Sequence, residues 1–445
     1  MSYYSLHCHT EFSNLRMLDS TTKLNDLIDK AVEMNLLGVS ISDHESLSGH
    51  VKAIQKQKQL VEKGIDFKIM LANEIYLVDS LEEVRDNYQS KVTKFYHFIL
   101  LAKDAIGHQQ MRQLSSLAWN NSFRTGKVER VPTIKADIER IIGNDKGHII
   151  AQTSCIGGEL AHHILNKDAD GCLSFIDWCQ DIFGKDNFYL EMQPNDVEEQ
   201  VRVNKAIISI SEQLDIPYII TTDEHYLTAD LAPIHEAYLK SREDESREVG
   251  DFYRTCYLMT PEEIHKWMDE QIGADKVDIA LKNTCEIANK VKFFDLNHSQ
   301  VVPKVPLPDF EMQHSFKDVY NECEYIKKFA YSEDIHDRYF LYLIEQGWWD
   351  KEYSDDLPKD EILKMMHRIN EELKAVWLSS ENIHDKISNY YITALYIEQK
   401  IMWEDAESLV GVSRGSIASF YTAYLIGLQQ INSYKQNIPY WRHLK

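Results

Sequence analysis

The 445-residue sequence contains no Cys-x-x-Cys pair, no apolar stretch long enough to cross a bilayer and no surplus of positive charge. Its seven cysteines (Cys8, Cys155, Cys172, Cys179, Cys256, Cys285 and Cys323) are odd in number and widely spaced, which excludes a disulfide framework or a zinc knuckle as the organising device. The N-terminus lacks a secretory apolar core, and no run approaches the ~18 to 20 residues of a membrane span. A soluble protein of the reducing cytoplasm, with no membrane partner, is expected. With 48 Lys and Arg against 71 Asp and Glu, the formal charge is −23. That argues against a broad, sequence-independent grip on nucleic acid, because such binding comes mainly from cations neutralising phosphates. A solvated acidic surface accounts for most of the surplus. One local exception lies between Lys103 and Lys135, where Arg112, Arg124, Lys127 and Arg130 gather among Trp119 and Phe123. Proline is scarce as well, ten in all, yet Pro303, Pro306 and Pro308 fall within six residues of VVPKVPLPDF. Such a stretch suits an extended linker between domains, and single cores stop growing near ~250 to 300 residues. The expected division is a domain over 1–295, a linker over 296–312 and a second region over 313–445.

What is present in the first 230 residues is an alternation of β-rich runs and helical stretches. YYSLHCH opens the chain; Leu24, Leu27, Ile28 and Ala31 then recur at i, i+3, i+4 and i+7, the signature of an amphipathic helix ending before Gly38. LGVSISDH, DFKIMLANEIYL, FYHFILLAK, GHIIAQTS, FYLEMQ and IPYIITTDEHYL follow, making seven strand candidates with helices such as 173–183 and 201–214 between them. The pattern is that of an α/β fold with a parallel sheet or barrel. Helix is expected again over 262–292, 316–348 and 359–378, and no internal repeat or low-complexity tract occurs.

Polar residues sit at the carboxyl ends of these strands. His44 follows GVSIS, Glu74 follows IMLAN, Cys155 follows IIAQTS, and Asp223 and His225 follow YIITT; in α/β barrels that rim is where active sites are built. His97 departs from this, since it precedes its apolar run. His7 and His9 lie two apart on a strand, so both imidazoles share a face and one metal cluster can take both. With Asp19, these make nine candidate ligands: His7, His9, Asp19, His44, Glu74, His97, Cys155, Asp223 and His225. Nitrogen, carboxylate and thiol donors together suit zinc, manganese or iron better than calcium or magnesium, though magnesium remains open. Nine ligands exceed the four of a structural zinc and suffice for two or three divalent metals, the equipment of phosphoester hydrolysis. Any one of these histidines alone would more often be a core or surface residue, and Cys155 alone a small buried filler.

The ordered strings SLHCHTEFSNL, ISDHESLSGHVKA, NEIY, YHFILLAK, SCIGGEL, FYLEMQ and TTDEHYL resemble the polymerase and histidinol phosphatase (PHP) domain at the N-terminus of bacterial DNA polymerase III alpha subunits, the family C replicative polymerases. The resemblance implies a distorted seven-stranded (β/α) barrel with a trinuclear metal centre held by the same nine residues, and a metal-dependent 3′-5′ exonuclease activity. The segment from His9 to Asp19 is longer than the common pattern. CYLMTPEEI and VPKVPLPDF are similar to the family's passage from barrel to palm, and GVSRGSIASFYTAYLIGL resembles the start of a mostly helical palm. There a turn ahead of a helix, Arg414-Gly415-Ser416, would approach a nucleotide triphosphate, although Gly411-Val412-Ser413 replaces the usual Gly-Pro-Gly. The Asp-x-Asp run that holds the polymerase metals in that family is absent through Lys445. The expectation is therefore an N-terminal part of a replicative polymerase whose partners are DNA, the remaining polymerase and other replisome proteins, with the apolar helix near Tyr421–Leu428 uncovered for a partner chain. Two rivals are a stand-alone phosphatase of a small phosphomonoester and a non-catalytic replisome scaffold.

Overall fold

A computed structural model describes residues 2–15, 18–86, 95–125, 128–241 and 250–444. Lys127, the residues 92–94 just ahead of Phe95, and Lys445 fall outside them. The chain divides into two compact units, Met1–Asn297 and His298–Lys445.

In the first unit seven strands form one curled sheet in the order β1 (Tyr4–Cys8), β2 (Gly38–Ile41), β3 (Lys68–Val78), β4 (Tyr96–Ala102), β5 (Ile149–Gln152), β6 (Phe188–Met192) and β7 (Tyr218–Ile220), with a short strand, Pro132–Ile134, added beside β3. β1, β2 and β3 pair in parallel, as do β5, β6 and β7. Gly38 serves the tight approach of the first three strands: a Cβ there would stand 2.1 Å from the Lys68 carbonyl oxygen. The expectation of a wholly parallel sheet fails at one strand, because β4 runs antiparallel to both β3 and β5.

The curl is closed differently at its two ends. At the carboxyl rim the chain beyond β7 returns to β1, with His9 N donating to Glu224 O (2.9 Å) and Glu224 N donating to His7 O (3.1 Å). At the opposite end the helix Ala274–Lys290 bridges the gap: Tyr4 N donates to Thr284 Oγ1 (3.1 Å) and Asn283 Nδ2 to Tyr218 O (2.8 Å). The result is a distorted β/α barrel.

The helices pack outside through the stripes their sequences show. Helix Leu24–Glu33 buries Leu24, Leu27, Ile28 and Ala31, and Pro261–Ile272 starts with a Thr260/Glu263 capping box and buries Ile264 and Met268. Period two governs the strand faces. Met70 and Ala72 on β3, Ile99 and Leu101 on β4, and Tyr189 on β6 join one apolar cluster, and one step further along the same faces stand Glu74, His97 and Glu191. The apolar layer thus fixes where the polar layer above it points.

The second unit is helical: Glu324–Ala330, Ile335–Lys351, Lys359–Ile383, Ser388–Tyr396 and the short Tyr421–Leu425 surround a core that includes Phe340, Ile344, Trp348, Ile369 and Leu373. A single helix over 316–348 is not what forms. The break falls at Tyr331–Asp334, where the Asp334 side chain accepts from His336 N (2.8 Å) and starts a new helix. The helix near Tyr421 is not uncovered either: Tyr421, Ala423 and Leu425 are buried in this unit's own core, packed by Ile335–Lys351 and Lys359–Ile383.

Candidate metal centre

All nine candidate ligands meet at the barrel's carboxyl rim. Glu74, fully buried, is the hub: its carboxylate oxygens lie 2.6 Å from His44 Nδ1, 3.0 Å from His97 Nδ1, 3.3 Å from His9 Nε2 and 3.5 Å from His7 Nε2. Asp223 Oδ1 stands 3.1 Å from both His7 Nε2 and His9 Nε2. Asp19 joins from its own loop, 2.5 Å from His44 Nε2 and 3.0 Å from His225 Nε2, while Cys155 Sγ lies 3.5 Å from His97 Nδ1. His97 reaches this rim because β4 is reversed, so its amino end lies beside the carboxyl ends of its neighbours.

The rim turns are strained. Glu45, Ser154 and Asp223 have φ of 43°, 61° and 48°, a left-handed conformation that costs non-glycine residues ~1 kcal/mol or more. Two of them flank the ligands His44 and Cys155, and the third is itself one. Strain so placed re-aims ligating side chains and has no evident structural benefit of its own.

The donors are aimed past one another. His44 Nδ1 and Glu74 Oε2 are only 2.6 Å apart, yet neither makes an aligned hydrogen bond, and Asp223 Oδ1 has none either. His7 Nε2 and His9 Nε2 face each other at 3.0 Å. Leaving buried polar atoms unsatisfied costs roughly 1–3 kcal/mol each, and a shared cation removes that cost. Donor atoms lie within 4.8 Å of one another in four sets: His7, His9 and Asp223; His9, His44 and His225; His44, Glu74 and His97; Asp223, His225 and Cys256. The residues present fit divalent metals. Cys256 was not foreseen as part of this cluster.

Electrostatics agree. Burial alone would raise the Glu74 carboxyl, but His97, His44 and His7 hold it well below its usual value. Burial, then His44 and His225, push His9 down to about 3, so it is a neutral imidazole with a free lone pair, the form a metal takes. Burial would also lower His44, yet Glu74 and Asp19 lift it to about 9. Those proton-mediated pairs are what a cation would displace.

Further residues aim the ligands. Glu191, fully buried, accepts from His7 Nδ1 at 2.7 Å and from Thr221 Oγ1 at 2.6 Å. Ser13 Oγ is 3.0 Å from His9 Nδ1 and donates to Asp43 Oδ1 at 2.7 Å. Ser154 Oγ donates to Glu74 at 2.6 Å. Glu191 was legible as a lone carboxylate inside an apolar strand, FYLEM; nothing in sequence spacing marks Ser13.

Above the cluster a cavity of about 330 Å³ opens to solvent, walled by Tyr76, Phe95, Phe252 and Tyr253 with Arg130 at its edge. Arg414, Gly415 and Ser416 belong to the other unit. The expected helix start there is a five-residue 3-10 turn, Gly415–Ser419, with Gly415 at φ 69° and Ser416 Oγ 3.0 Å from His443 Nδ1. Too few peptide dipoles align in such a turn to give the anion site expected of a helix terminus.

Residues 5–195 match the PHP domain, and residues 325–445 match the bacterial DNA polymerase III alpha NTPase domain. The chain is 44% identical, over 98% of its length, to the protein named "Probable DNA polymerase YorL" of Bacillus subtilis (strain 168) and to the DNA-directed DNA polymerase of Bacillus phage SPbeta, covering 35% of each. It is 28% identical to the DNA polymerase III subunit alpha of Borreliella burgdorferi over 77% of this chain and 28% of that one. The chain thus spans about a third of the length of these relatives.

Proposed function

Joining a PHP domain to a bacterial DNA polymerase III alpha domain, the chain belongs to the DNA polymerase III alpha family, and we propose that its barrel is a metal-dependent phosphodiesterase that trims DNA from the 3′ end. The observation that carries this reading is the convergence of four imidazoles, of His7, His9, His44 and His97, on the buried carboxylate of Glu74, with Asp19, Cys155, Asp223 and His225 against those rings or one another and donor atoms aimed past one another. His7, His9, Asp19, His44, Glu74, His97, Cys155, Asp223 and His225 would hold two or three divalent ions, of zinc, manganese or iron type. Such ions supply the positive charge that makes water nucleophilic near neutral pH and stabilises charge on phosphoryl oxygens.

The chain's own groups do the rest. Glu191 fixes the ring of His7 through Nδ1, and Ser13 with Asp43 fixes His9, so both Nε2 atoms point inward. The apolar walls of the cavity limit water around the reacting group, which strengthens charge interactions within it. On this reading 1–295 is the PHP barrel, 296–312 the linker and 313–445 part of the palm. DNA, the rest of a polymerase and other replisome proteins are its partners. Arg414, Gly415 and Ser416 would meet a triphosphate through an exposed guanidinium and a hydroxyl, not through a helix terminus.

The test is a 5′-labelled single-stranded oligodeoxynucleotide incubated with protein loaded with Mn²⁺ or Zn²⁺. Stepwise shortening from the 3′ end, abolished by a chelator and by His9→Ala combined with Asp223→Ala, is expected. Hydrolysis of small phosphomonoesters without shortening of the strand would replace this reading with a phosphatase. Metal-loaded protein without hydrolase activity would leave an assembly module.

A further inference from the structure

Nothing in the metal cluster explains the cation at its mouth. Among the described residues lining the 330 Å³ cavity, Arg130 is the one Lys or Arg, in a lining that also holds Asp19 and Asp223. It is held in place: Nε donates to Thr125 Oγ1 at 2.9 Å, and the guanidinium lies 5.1 Å from the centre of the Phe95 ring. Its backbone is fixed by pairing of Val128–Arg130 with Phe123–Thr125, where Arg130 faces Phe123. A guanidinium set by a hydroxyl and an aromatic face loses little freedom on binding an anion.

The aromatic residues of the lining form two groups, each against different ligands. Phe95 lies under Arg130, and Tyr76 stands 5.0 Å from the His97 ring. Tyr253 stands 5.8 Å from the His225 ring with Phe252 beside it. A small phosphomonoester needs neither an arginine beyond the metal cluster nor two groups of aromatic rings. A strand needs both. Its scissile phosphate would sit over the cluster, the neighbouring phosphate needs a separate cation, and its bases have faces that stack on aromatic rings whatever their sequence.

Resting on the phosphodiesterase reading above, we infer that Arg130 grips the phosphate next to the scissile one, while Phe95 and the Phe252–Tyr253 wall stack the terminal bases. The substrate class is then a single strand with at least two consecutive phosphates, read without regard to base. Arg130 sets that specificity and takes no part in ligating metal.

Arg130→Gln and Arg130→Lys test it against two probes: a fluorescein-labelled single-stranded oligodeoxynucleotide with hydrolysis-resistant phosphorothioate 3′ linkages, read by anisotropy, and bis(4-nitrophenyl) phosphate, a diester with one phosphate, read by turnover. Arg130→Gln should weaken strand binding about tenfold and lower the salt slope by about one ion. Arg130→Lys should recover part of the affinity. Metal content and turnover of bis(4-nitrophenyl) phosphate should stay within about twofold of the parent. Unchanged strand binding, or an equal loss on both probes, overturns the inference. The two readings fail separately. A parent protein that shortens unmodified strands, with Arg130→Gln doing so equally well, sinks the Arg130 role alone. A parent that binds strands through Arg130 yet hydrolyses nothing sinks the phosphodiesterase alone.

Discussion

The barrel and the helical unit both bury charge, but they satisfy it differently. In the helical unit Glu372 is fully buried and accepts from Tyr421 N (2.8 Å), Thr422 N (2.7 Å), Thr422 Oγ1 (2.8 Å) and Arg368 Nε (2.6 Å). Asp337 likewise accepts from Ser332, Ser388 and Lys386 at 2.6–2.8 Å. The desolvation cost of each carboxylate is offset by partners on the same unit. In the barrel, Glu74 and Asp223 are surrounded by imidazoles whose lone pairs compete for the same space, and among the described residues every candidate metal-holding group lies there. A buried charge network complete in itself is architecture; one that stays incomplete at its centre is prepared for a ligand.

The largest effect should follow from emptying that centre. His9→Ala with Asp223→Ala is expected to abolish metal uptake, measured as bound metal per chain, and to lower phosphodiester cleavage by about 10³-fold or more. Chelation should also lower the unfolding temperature of the barrel and leave that of the helical unit unchanged, because only the barrel uses metal to satisfy its buried donors. Equal shifts in both units would erase the distinction.

Breaking the self-contained network should cost stability instead of function. Glu372→Ala leaves Arg368 half-buried without its carboxylate and uncaps Tyr421–Leu425, a loss of about 3–5 kcal/mol for a broken buried pair. Hydrogen exchange should show it as faster exchange along Lys359–Ile383, with the strands β1 to β7 unaffected. Protection lost in the strands as well would mean the two units unfold together.

A smaller change tests how the ligands are aimed. Glu191→Gln keeps the shape and a hydrogen bond to His7 Nδ1 but removes the negative charge, and should weaken metal affinity about 10- to 100-fold by chelator competition. An unchanged affinity would reduce Glu191 to a packing role.

How much of this was legible follows from what each signal depends on. All seven strands were visible because buried strands are written locally, as short runs of Ile, Val, Leu and Phe. Their carboxyl ends were visible too, which placed His44, Glu74, Cys155 and Asp223 at one rim. The direction of β4 was not. It depends on whether the chain after β3 crosses over or turns back, and apolar content carries no record of that; hence His97 looked misplaced when it was not. Cys256 was missed because it reaches the cluster through a loop, where distance along the chain says little about distance in space; Asp19, also on a loop, was among the nine candidates. The buried state of Tyr421–Leu425 was illegible for a related reason: its cover comes from Lys359–Ile383, whose stripe could as well have faced any other apolar surface. Glu191 was legible in principle, since a carboxylate in the middle of FYLEM has to be paid for by a partner.

The subtlest test is of acid, to which a buried histidine pair in the barrel and a buried carboxyl in the helical unit should respond with opposite sign. In the barrel, His50 Nε2 donates to Ala72 O (3.0 Å) and its Nδ1 lies 3.0 Å from His108 Nε2, which leaves His108 Nδ1 buried without a partner. Burial, then the nearby His108, lowers His50 to about 3; burial, then Arg112, lowers His108 to about 4. The unfolded chain takes up these protons near the ordinary value of 6.5, so what this histidine pair contributes to barrel stability is full above that pH. It falls toward pH 4 by up to about 1.4 kcal/mol per pH unit for each histidine. In the helical unit, burial lifts the Glu345 carboxyl from 4.5 to about 7. Between those values the folded state holds a proton that the unfolded state releases, so through Glu345 acidification from pH 7 to 5 favours the folded state of that unit. Hydrogen exchange at pH 7 and pH 5 should therefore show that His108→Gln loses less barrel protection on acidification than the parent does, whereas Glu345→Gln forfeits the gain of the amides around it. His108→Gln should remove about half of the pair's contribution to the pH slope. Variants whose pH dependence matches the parent's would show that the other buried groups and the total charge, at −23, outweigh these three side chains.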